Sequence, residues 1–586
     1  MENVKMINLK INSLPVSVPE GTTVLDAAKS IGITIPTLCY MRKVNEIGAC
    51  RVCVVEVKGA RNLVASCVFP VAENMEVSTA TERVLKARRT TVELMLSDHD
   101  NQCLSCMRST NCELQKLAHD LNCDQHKYDG AVNDYKKDTS SPYLVRDNNK
   151  CILCRRCVAV CSKVQDVAVI GANARGFKTH IGCAFGRDIF DVPCIACGQC
   201  ITVCPTGALT EKDDIDIVRA AIGDPQKTVI AGTAPATRIG LSEEFGLPAG
   251  TNVEGKLVSA LRLLGFDKVF DINATADLTI MEEGTELLHR IKTNGALPMF
   301  TSCSPGWVKY VETFYPEFIK NISTCKSPQA MFGATIKTYY AEKCGLDPAN
   351  LFTVGVMPCT SKKFERLRDD MSANGKQPDM DAVLSVREIA RMIKRAGIDF
   401  VNLPDGKYDA PLGVASGAGF IFGATGGVME AALRTVVETL EGKPLEKLDF
   451  KAVRGMKGIK EATVTAGGRK ISVCAASGIA NAKAVLEDIK SGKAHYDFVE
   501  VMTCPGGCVN GGGQPVRNAE KLNFMDIAET RAKPIYAGDA KNKIRKSHEN
   551  PVVKALYEEY FQYPNSHRAH EVLHTTYAAR KKYKDI

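Results

Sequence analysis

Cysteine constrains this chain more than any other residue. Its 586 residues include 24 cysteines, 17 of them before residue 205 and seven spread over the rest. Met1–Pro19 shows no apolar run followed by a small-residue cleavage site, so no secretory signal is read and a cytoplasmic location is expected. In a large chain without such a signal, clustered thiols point to metal or redox chemistry rather than to disulfides. The length exceeds what one core serves, so several domains are expected. The best candidate for a membrane span, Leu412–Met429, has no charge but carries six glycines. It reads as a buried turn and helix start, not a membrane span. A net charge of +8 would favour an acidic partner such as a small electron carrier. No basic-and-aromatic patch suggests nucleic acid.

The first 80 residues read as a small β-rich domain. Val4–Ile11 and Leu14–Val18 alternate around Asn12-Ser13, a hairpin signal, and Thr22–Ile31 reads as a short helix. Cys39, Cys50, Cys53 and Cys67 follow, with the Cys-x2-Cys pair leading into an apolar strand, Val54–Val57. The pattern is similar to that of plant-type ferredoxins, which hold a [2Fe–2S] cluster, with a longer first gap. Residues 81–125 look helical, with Glu82–Leu96 amphipathic. Within them, His99 stands at ligand distance from Cys103, Cys106 and Cys112. A tetrahedral zinc site fits that spacing too; the cluster-like neighbours on both sides favour a [4Fe–4S] cluster. Cys123 and His126 are read as spectators.

Residues 141–210 carry the strongest local signal. Cys151-x2-Cys154-x2-Cys157-x3-Cys161 is repeated as Cys194-x2-Cys197-x2-Cys200-x3-Cys204-Pro205. This resembles the bacterial two-cluster ferredoxin run, in which the fourth cysteine of each run ligates the other cluster. Cys151, Cys154, Cys157 and Cys204 are thus assigned to one [4Fe–4S] cluster, and Cys194, Cys197, Cys200 and Cys161 to the second. The polar stretch after it, with Glu211-Lys212-Asp213-Asp214, reads as an exposed boundary. Beyond it, strand-like Thr228–Ala231, Lys268–Asp271, Phe352–Met357 and Ala382–Leu384 alternate with helical segments, the pattern of an α/β domain. Residues 541–586 are expected to wrap the surface as helices.

Three segments of this second half combine cysteine with glycine or proline: Thr301-Ser302-Cys303-Ser304-Pro305-Gly306-Trp307, Met357-Pro358-Cys359-Thr360-Ser361-Lys362, and Met502-Thr503-Cys504-Pro505-Gly506-Gly507-Cys508. Glycines let backbone approach a bulky inorganic group closely, and Lys362 is a cation placed to donate to an anionic ligand. The segments resemble the three signature motifs of [FeFe]-hydrogenases, and the chain resembles the clostridial, four-accessory-cluster form of that family nearly end to end. The resemblance implies an α/β catalytic domain of two lobes over 210–586, preceded by α+β ferredoxin-like iron–sulfur domains over 1–80, 81–125 and 126–209. It implies an H-cluster: a [4Fe–4S] unit joined through a cysteine to a two-iron unit bearing CO, cyanide and azadithiolate. One [2Fe–2S] and three accessory [4Fe–4S] clusters would feed it.

Carried over residue by residue, Cys359, Cys504 and Cys508 match cluster ligands, Cys508 being the bridging thiolate. Lys362 matches the residue that hydrogen-bonds a cyanide. Met357 and Met502 pack around the two irons, and Phe422 and Gly423 line the same pocket. Cys303, Glu283, Ser323, Glu286 and Arg290 match the proton-transfer chain; Glu283 and Glu286 are three apart and share a helix face. Pro235 is placed beside the cluster, and Ala236 stands where relatives carry a serine. One departure is larger. The family's first motif has a cubane-ligating cysteine where this chain has Ser304, a harder donor than a thiol. Three readings stay open: Ser304 ligates, Cys303 takes its place, or the cubane is altered. The implied activity is reversible reduction of protons to H2, with a ferredoxin or similar carrier and maturation proteins as partners. Alternatives are a subunit of a larger NAD(P)-linked complex and a sensory or iron–sulfur scaffold relative.

Overall fold

The computed structural model describes residues 5–583. Near the N-terminus, β1 (Met6–Ile11) and β2 (Leu14–Pro19) form the hairpin, turning on Asn12 and Ser13 at positive φ. Val4, the expected start of the first strand, lies outside the described residues. β1 alternates exposed and buried residues, and Ile7, Leu9 and Ile11 enter a core with the helix Val24–Ser30. Thr23 caps that helix through its hydroxyl. β3 (Val54–Val57), β4 (Val64–Ala65) and β5 (Glu76–Ser78) complete a sheet of order β2-β1-β5-β3-β4. The helix Glu82–Leu96 then packs Val84, Val92 and Leu96 inward. The paired cysteine runs sit on short turns between β6 (Leu144–Arg146), the β7–β8 hairpin (Gly171–Asn173, His180–Gly182) and β9 (Leu209–Glu211).

The second half holds two four-stranded sheets. In one, β10 (Thr228–Thr233), β11 (Lys268–Asp271), β13 (Leu351–Met357) and β14 (Ala382–Ser385) run parallel in the order β11-β10-β13-β14. Their residues are buried almost throughout, as expected of parallel strands covered on both faces. In the other, β12 (Met299–Phe300), β17 (Phe498–Met502) and β16 (Arg469–Ser477) are parallel, and β15 (Ile459–Ala466) closes the edge as an antiparallel hairpin with β16. The helix Ile272–Thr293 lies in the core between them, with 14 of its 22 residues buried.

Two expectations change. Glu211 and Asp214 are not an exposed boundary; they are 2% and 3% exposed. Glu211 pairs with Arg387 and Arg391 at 2.8 Å, and Asp214 with Lys363 at 2.9 Å, because this stretch is the seam against the catalytic half. The C-terminal residues do more than wrap the surface: Val553, Leu556, Phe561 and Leu573 join the core around β10 and β11. Among the described residues no helix is long and apolar enough to cross a membrane, and Gly417–Ile421 and Gly427–Glu441 are buried helices.

Candidate active site and electron path

All the motif loops leave the carboxyl ends of parallel strands. Pro235 follows β10, Cys303 lies three residues past β12, Cys359 two past β13 and Cys504 two past β17. Ligands of open parallel sheets bind at that end, where crossovers leave a crevice. Here two sheets point such ends at one cavity. Cys303, Ser304, Cys359, Cys504 and Cys508 line it, with Pro235, Met357, Met502, Phe422 and Lys362. Gly423 lies behind the wall: a Cβ there would meet Ile535 at 2.5 Å, and its carbonyl accepts from Val509. The surfaces are mostly sulfur, methyl and ring.

Burial pushes the Cys508 thiol up to about 12 and raises Cys359 and Cys504 as well. Three half- to fully buried sulfurs that resist ionisation unless a cation compensates them are a soft-metal donor set. The residues present therefore fit an iron–sulfur group. Lys362 Nζ donates to Glu365 at 2.9 and 3.1 Å and to the Cys303 carbonyl at 3.2 Å, so its charge is held at the cavity wall. Ser304 Oγ lies 2.7 Å from Thr503 Oγ1 and accepts from the Thr503 backbone N–H at 3.2 Å. Thr503 is a partner sequence reasoning missed, though it stands within the third motif.

From Cys303 a line of polar side chains runs outward. Glu283 is fully buried; one oxygen accepts from Ser302 N–H at 3.4 Å and the other, Oε2, has no partner. Desolvation, helped by Glu286, pushes its carboxyl up to about 8, and burial raises the Cys303 thiol well above its ordinary value. Ser323 Oγ donates to Glu286 at 2.8 Å, and Arg290 binds Glu286 at 2.6 Å on the solvent side. Cys325, not singled out in the sequence, places its sulfur 3.8 Å from Glu286; no spacing signal marked it.

Four further sites lie towards the N-terminus. Cys39 pairs with Cys50 and Cys53 with Cys67, the last two sulfurs 3.3 Å apart, a two-by-two arrangement suited to a two-iron unit. His99 Nδ1 is buried without a hydrogen-bond partner, and burial lowers the ring's affinity for a proton; a neutral imidazole is the ligating form. Cys151, Cys154, Cys157 and Cys204 line one small cavity, and Cys161, Cys194, Cys197 and Cys200 another. Each set thus takes its fourth cysteine from the other run.

The sites connect through backbone. Asn45 donates to the carbonyls of Cys39 and Cys154 at 2.8 and 3.0 Å. Arg108 donates to the Cys204 carbonyl at 3.1 Å. Both outer sites therefore abut the Cys151 set. At the inner end, Gln199 donates to the Asn510 carbonyl at 2.8 Å and Thr360 to the Ala196 carbonyl at 2.7 Å. A Cβ on Gly512 would collide with the Cys197 carbonyl oxygen, and one on Gly198 with Thr360.

Comparison with known proteins agrees with this layout. The family model "Iron only hydrogenase large subunit, C-terminal domain" matches residues 227–512, and "Iron hydrogenase small subunit" matches 525–580. A 2Fe-2S iron-sulfur cluster binding domain matches 4–82, an NADH-ubiquinone oxidoreductase-G iron–sulfur binding region matches 88–127, and an NADH-quinone oxidoreductase subunit 3, ferredoxin-like domain matches 141–210. The chain is 48% identical to the NADP-reducing hydrogenase subunit HndD of Solidesulfovibrio fructosivorans, over 99% of this chain and all of that one. It is 43% identical to iron hydrogenase 1 of Clostridium pasteurianum, over 98% of this chain and all of that one. The chain belongs to the [FeFe]-hydrogenase family. An apo [FeFe]-hydrogenase HydA1 from Chlamydomonas reinhardtii superposes with a TM-score of 0.57 at 41% identity, covering 63% of this chain and all of the algal one. This [FeFe]-hydrogenase therefore carries its accessory iron–sulfur domains in front of a hydrogenase domain of the family's fold, and the cysteine-lined cavity is where an H-cluster fits.

Proposed function

We propose that this hydrogenase exchanges electrons with a ferredoxin-like carrier through a branched relay and passes protons along the Cys303–Arg290 line. The carrying observation is convergence: three cysteine-bearing loops and a cationic lysine meet at one cavity on the carboxyl ends of two sheets. Cys359, Cys504 and Cys508 would hold the H-cluster, with Ser304 or Cys303 as the remaining donor. The bound cluster supplies an open iron position where two protons and two electrons combine to H2, or the reverse. The chain does the rest: Met357, Met502 and Phe422 exclude water, and Lys362 offers a fixed N–H donor to an anionic ligand. Cys303 hands protons to and from Glu283, whose buried carboxyl, pushed up to about 8, can both give and take a proton near neutral pH. Ser323, Glu286 and Arg290 carry them to solvent.

The residues of 1–80 hold the [2Fe–2S] cluster, those of 81–125 the His99 cluster and those of 126–209 the crossed pair. Both outer clusters feed the Cys151 set, which feeds the Cys194 set and then the catalytic domain, 210–586. A total of about 14 accessory irons follows from these cluster types. Maturation proteins build the two-iron unit, and the protein works in the cytoplasm. A second reading, a subunit of an NAD(P)-linked complex, draws on the relative named as an NADP-reducing hydrogenase subunit. Infrared spectra of the matured protein should show CO and cyanide bands, with H2 evolved from reduced ferredoxin by the purified chain. Bands with no ferredoxin-driven H2, but H2-dependent NADP+ reduction on adding partner subunits, would move the case to the second reading. Absent bands would sink both.

A further inference from the structure

Besides its sulfurs, the cavity lined by Cys161, Cys194, Cys197 and Cys200 has three polar side chains: Arg146, Gln165 and Gln199. Two of them are already engaged. Arg146 donates to Asp138 at 3.1 Å and to the Cys183 sulfur at 3.6 Å, and Gln199 donates to the Asn510 carbonyl at 2.8 Å. Gln165 is different. It is 1% exposed, and its Nε2 has no hydrogen-bond partner among the described residues. An amide donor left unpaired in the interior is costly, and such groups nearly always find an acceptor. The other side chains of the lining are aliphatic or sulfur.

Which end of the amide faces the cavity is fixed from the far side. Gln165 Oε1 accepts from the Ile479 N–H at 3.3 Å. Ile479 opens the helix Ile479–Lys490 of the catalytic domain, whose cap, Gly478, has no side chain to accept the first N–H groups. Only an oxygen can accept there, so the nitrogen is the end turned away from the helix. The turn is held on both sides of this contact. Asp166 pairs with Lys483 of the same helix at 2.6 Å. The Gln165 N–H closes onto the Val160 carbonyl at 3.0 Å, ending the π-helical turn Val160–Val164 that carries Cys161.

We propose that Gln165 Nε2 donates a hydrogen bond to a sulfur of the [4Fe–4S] cluster held by the Cys194 set, and so raises the reduction potential of the last relay station before the catalytic domain. The inference rests on the relay reading above. A reduced cluster carries one more negative charge than an oxidised one, so an N–H donor favours the reduced form. Hydrogen bonds to the sulfurs are among the levers that set such potentials. In a cavity closed to water the bond acts at full strength. The amide is oriented by a helix of the catalytic domain, so that domain completes the surroundings of the cluster that feeds it.

The test uses the full-length protein with its clusters in place. Redox titrations followed by electron paramagnetic resonance compare the parent with Gln165→Leu, Gln165→Met and Lys483→Ala; Cys197→Ser marks the signal of the Cys194 set. Both Gln165 variants should lower that one potential by a tenfold change in the reduction equilibrium, about 59 mV for a one-electron couple, and leave the other clusters where they were. In protein labelled with ¹⁵N in the glutamine side chain, pulsed resonance of the reduced cluster should show a side-chain nitrogen coupling that both variants lose. Lys483→Ala loosens the same turn without removing the donor, and should keep the parent's potential and coupling. A potential unmoved in Gln165→Leu and Gln165→Met overturns the proposal, as does an equal shift in Lys483→Ala, which would trace the effect to docking. If neither Gln165 variant assembles the cluster, the labelled parent decides: absence of the side-chain coupling there overturns the proposal. A parent with no [4Fe–4S] signal that Cys197→Ser alters would instead overturn the relay reading, and this inference with it.

Discussion

Replacing Glu283 by glutamine should stop proton transfer and stabilise the protein, and the two effects come from one cause. The carboxyl is fully buried with one oxygen unpartnered, and desolvation moves its pKa from an ordinary 4.5 to about 8. A raised acid pKa favours the native state while the group is protonated, below about pH 4.5, and that contribution is lost as pH rises through 8. At pH 7 the loss amounts to about 3 kcal/mol, by linkage between the two pKa values. Glutamine keeps the shape and an acceptor for the Ser302 N–H but has no proton to lose. Glu283→Gln should therefore match the parent's melting temperature near pH 4.5 and exceed it increasingly towards pH 8, where the parent must bury a charge. Over the same range, H2 evolution and uptake should both fall by about 10²–10⁴, the usual worth of a positioned acid–base group, with infrared bands intact. A melting-temperature gap that does not change with pH would show that the carboxyl is solvated, and the reasoning from burial would fail.

Three other outcomes follow from the geometry. Ser304→Cys should strengthen the cubane's electron paramagnetic resonance signal and raise activity, since thiolate is the softer donor; a serine protein that equals it in both makes the Ser304–Thr503 contact a working feature. His99→Ala should lower bound iron by about four per chain and slow electron entry from a carrier while leaving dye-driven turnover; loss of zinc instead of iron overturns the assignment. Lys363→Met removes the cation between Asp214 and Glu388, each 2.9 Å away and buried, and should cost about 3–5 kcal/mol, read as a lower melting temperature that a charge-keeping Lys363→Arg partly recovers. An unaltered melting temperature in Lys363→Met would mean the seam is wetter than it looks.

Local pattern carried much of this into view. Helix Glu82–Leu96 and strands Val54–Val57 and Lys268–Asp271 stand where apolar spacing put them, because each buries one continuous face. The cysteine runs were readable because metal ligation imposes short, fixed spacings. What the sequence hid was pairing across distance. Glu211 looks like any surface acid until Arg387, 176 residues on, comes to meet it, and nothing around Thr503 or Cys325 announces what they face. The Glu282–His574 contact joins residues 292 apart. A charge run reads as solvated when its partners lie in another part of the chain, so the boundary at 211–214 was misread for that reason.

The glycine seam between Gly198 and Gly512 has a consequence for how such enzymes diversify. Gly512 meets the Cys197 carbonyl directly, and Gly198 leaves no room for a Cβ beside Thr360 and the Gly512 backbone. Recombination that exchanged the relay domains for another set would have to reproduce that bare contact, together with Gln199–Asn510 and Thr360–Ala196. Side-chain interfaces tolerate drift because one residue can shrink as its neighbour grows; glycine against a carbonyl offers no such trade. The outer junctions, made by single side chains such as Asn45 and Arg108, have that latitude. Modules should therefore have been gained and lost at the far ends of this chain more freely than at the join beside the active site.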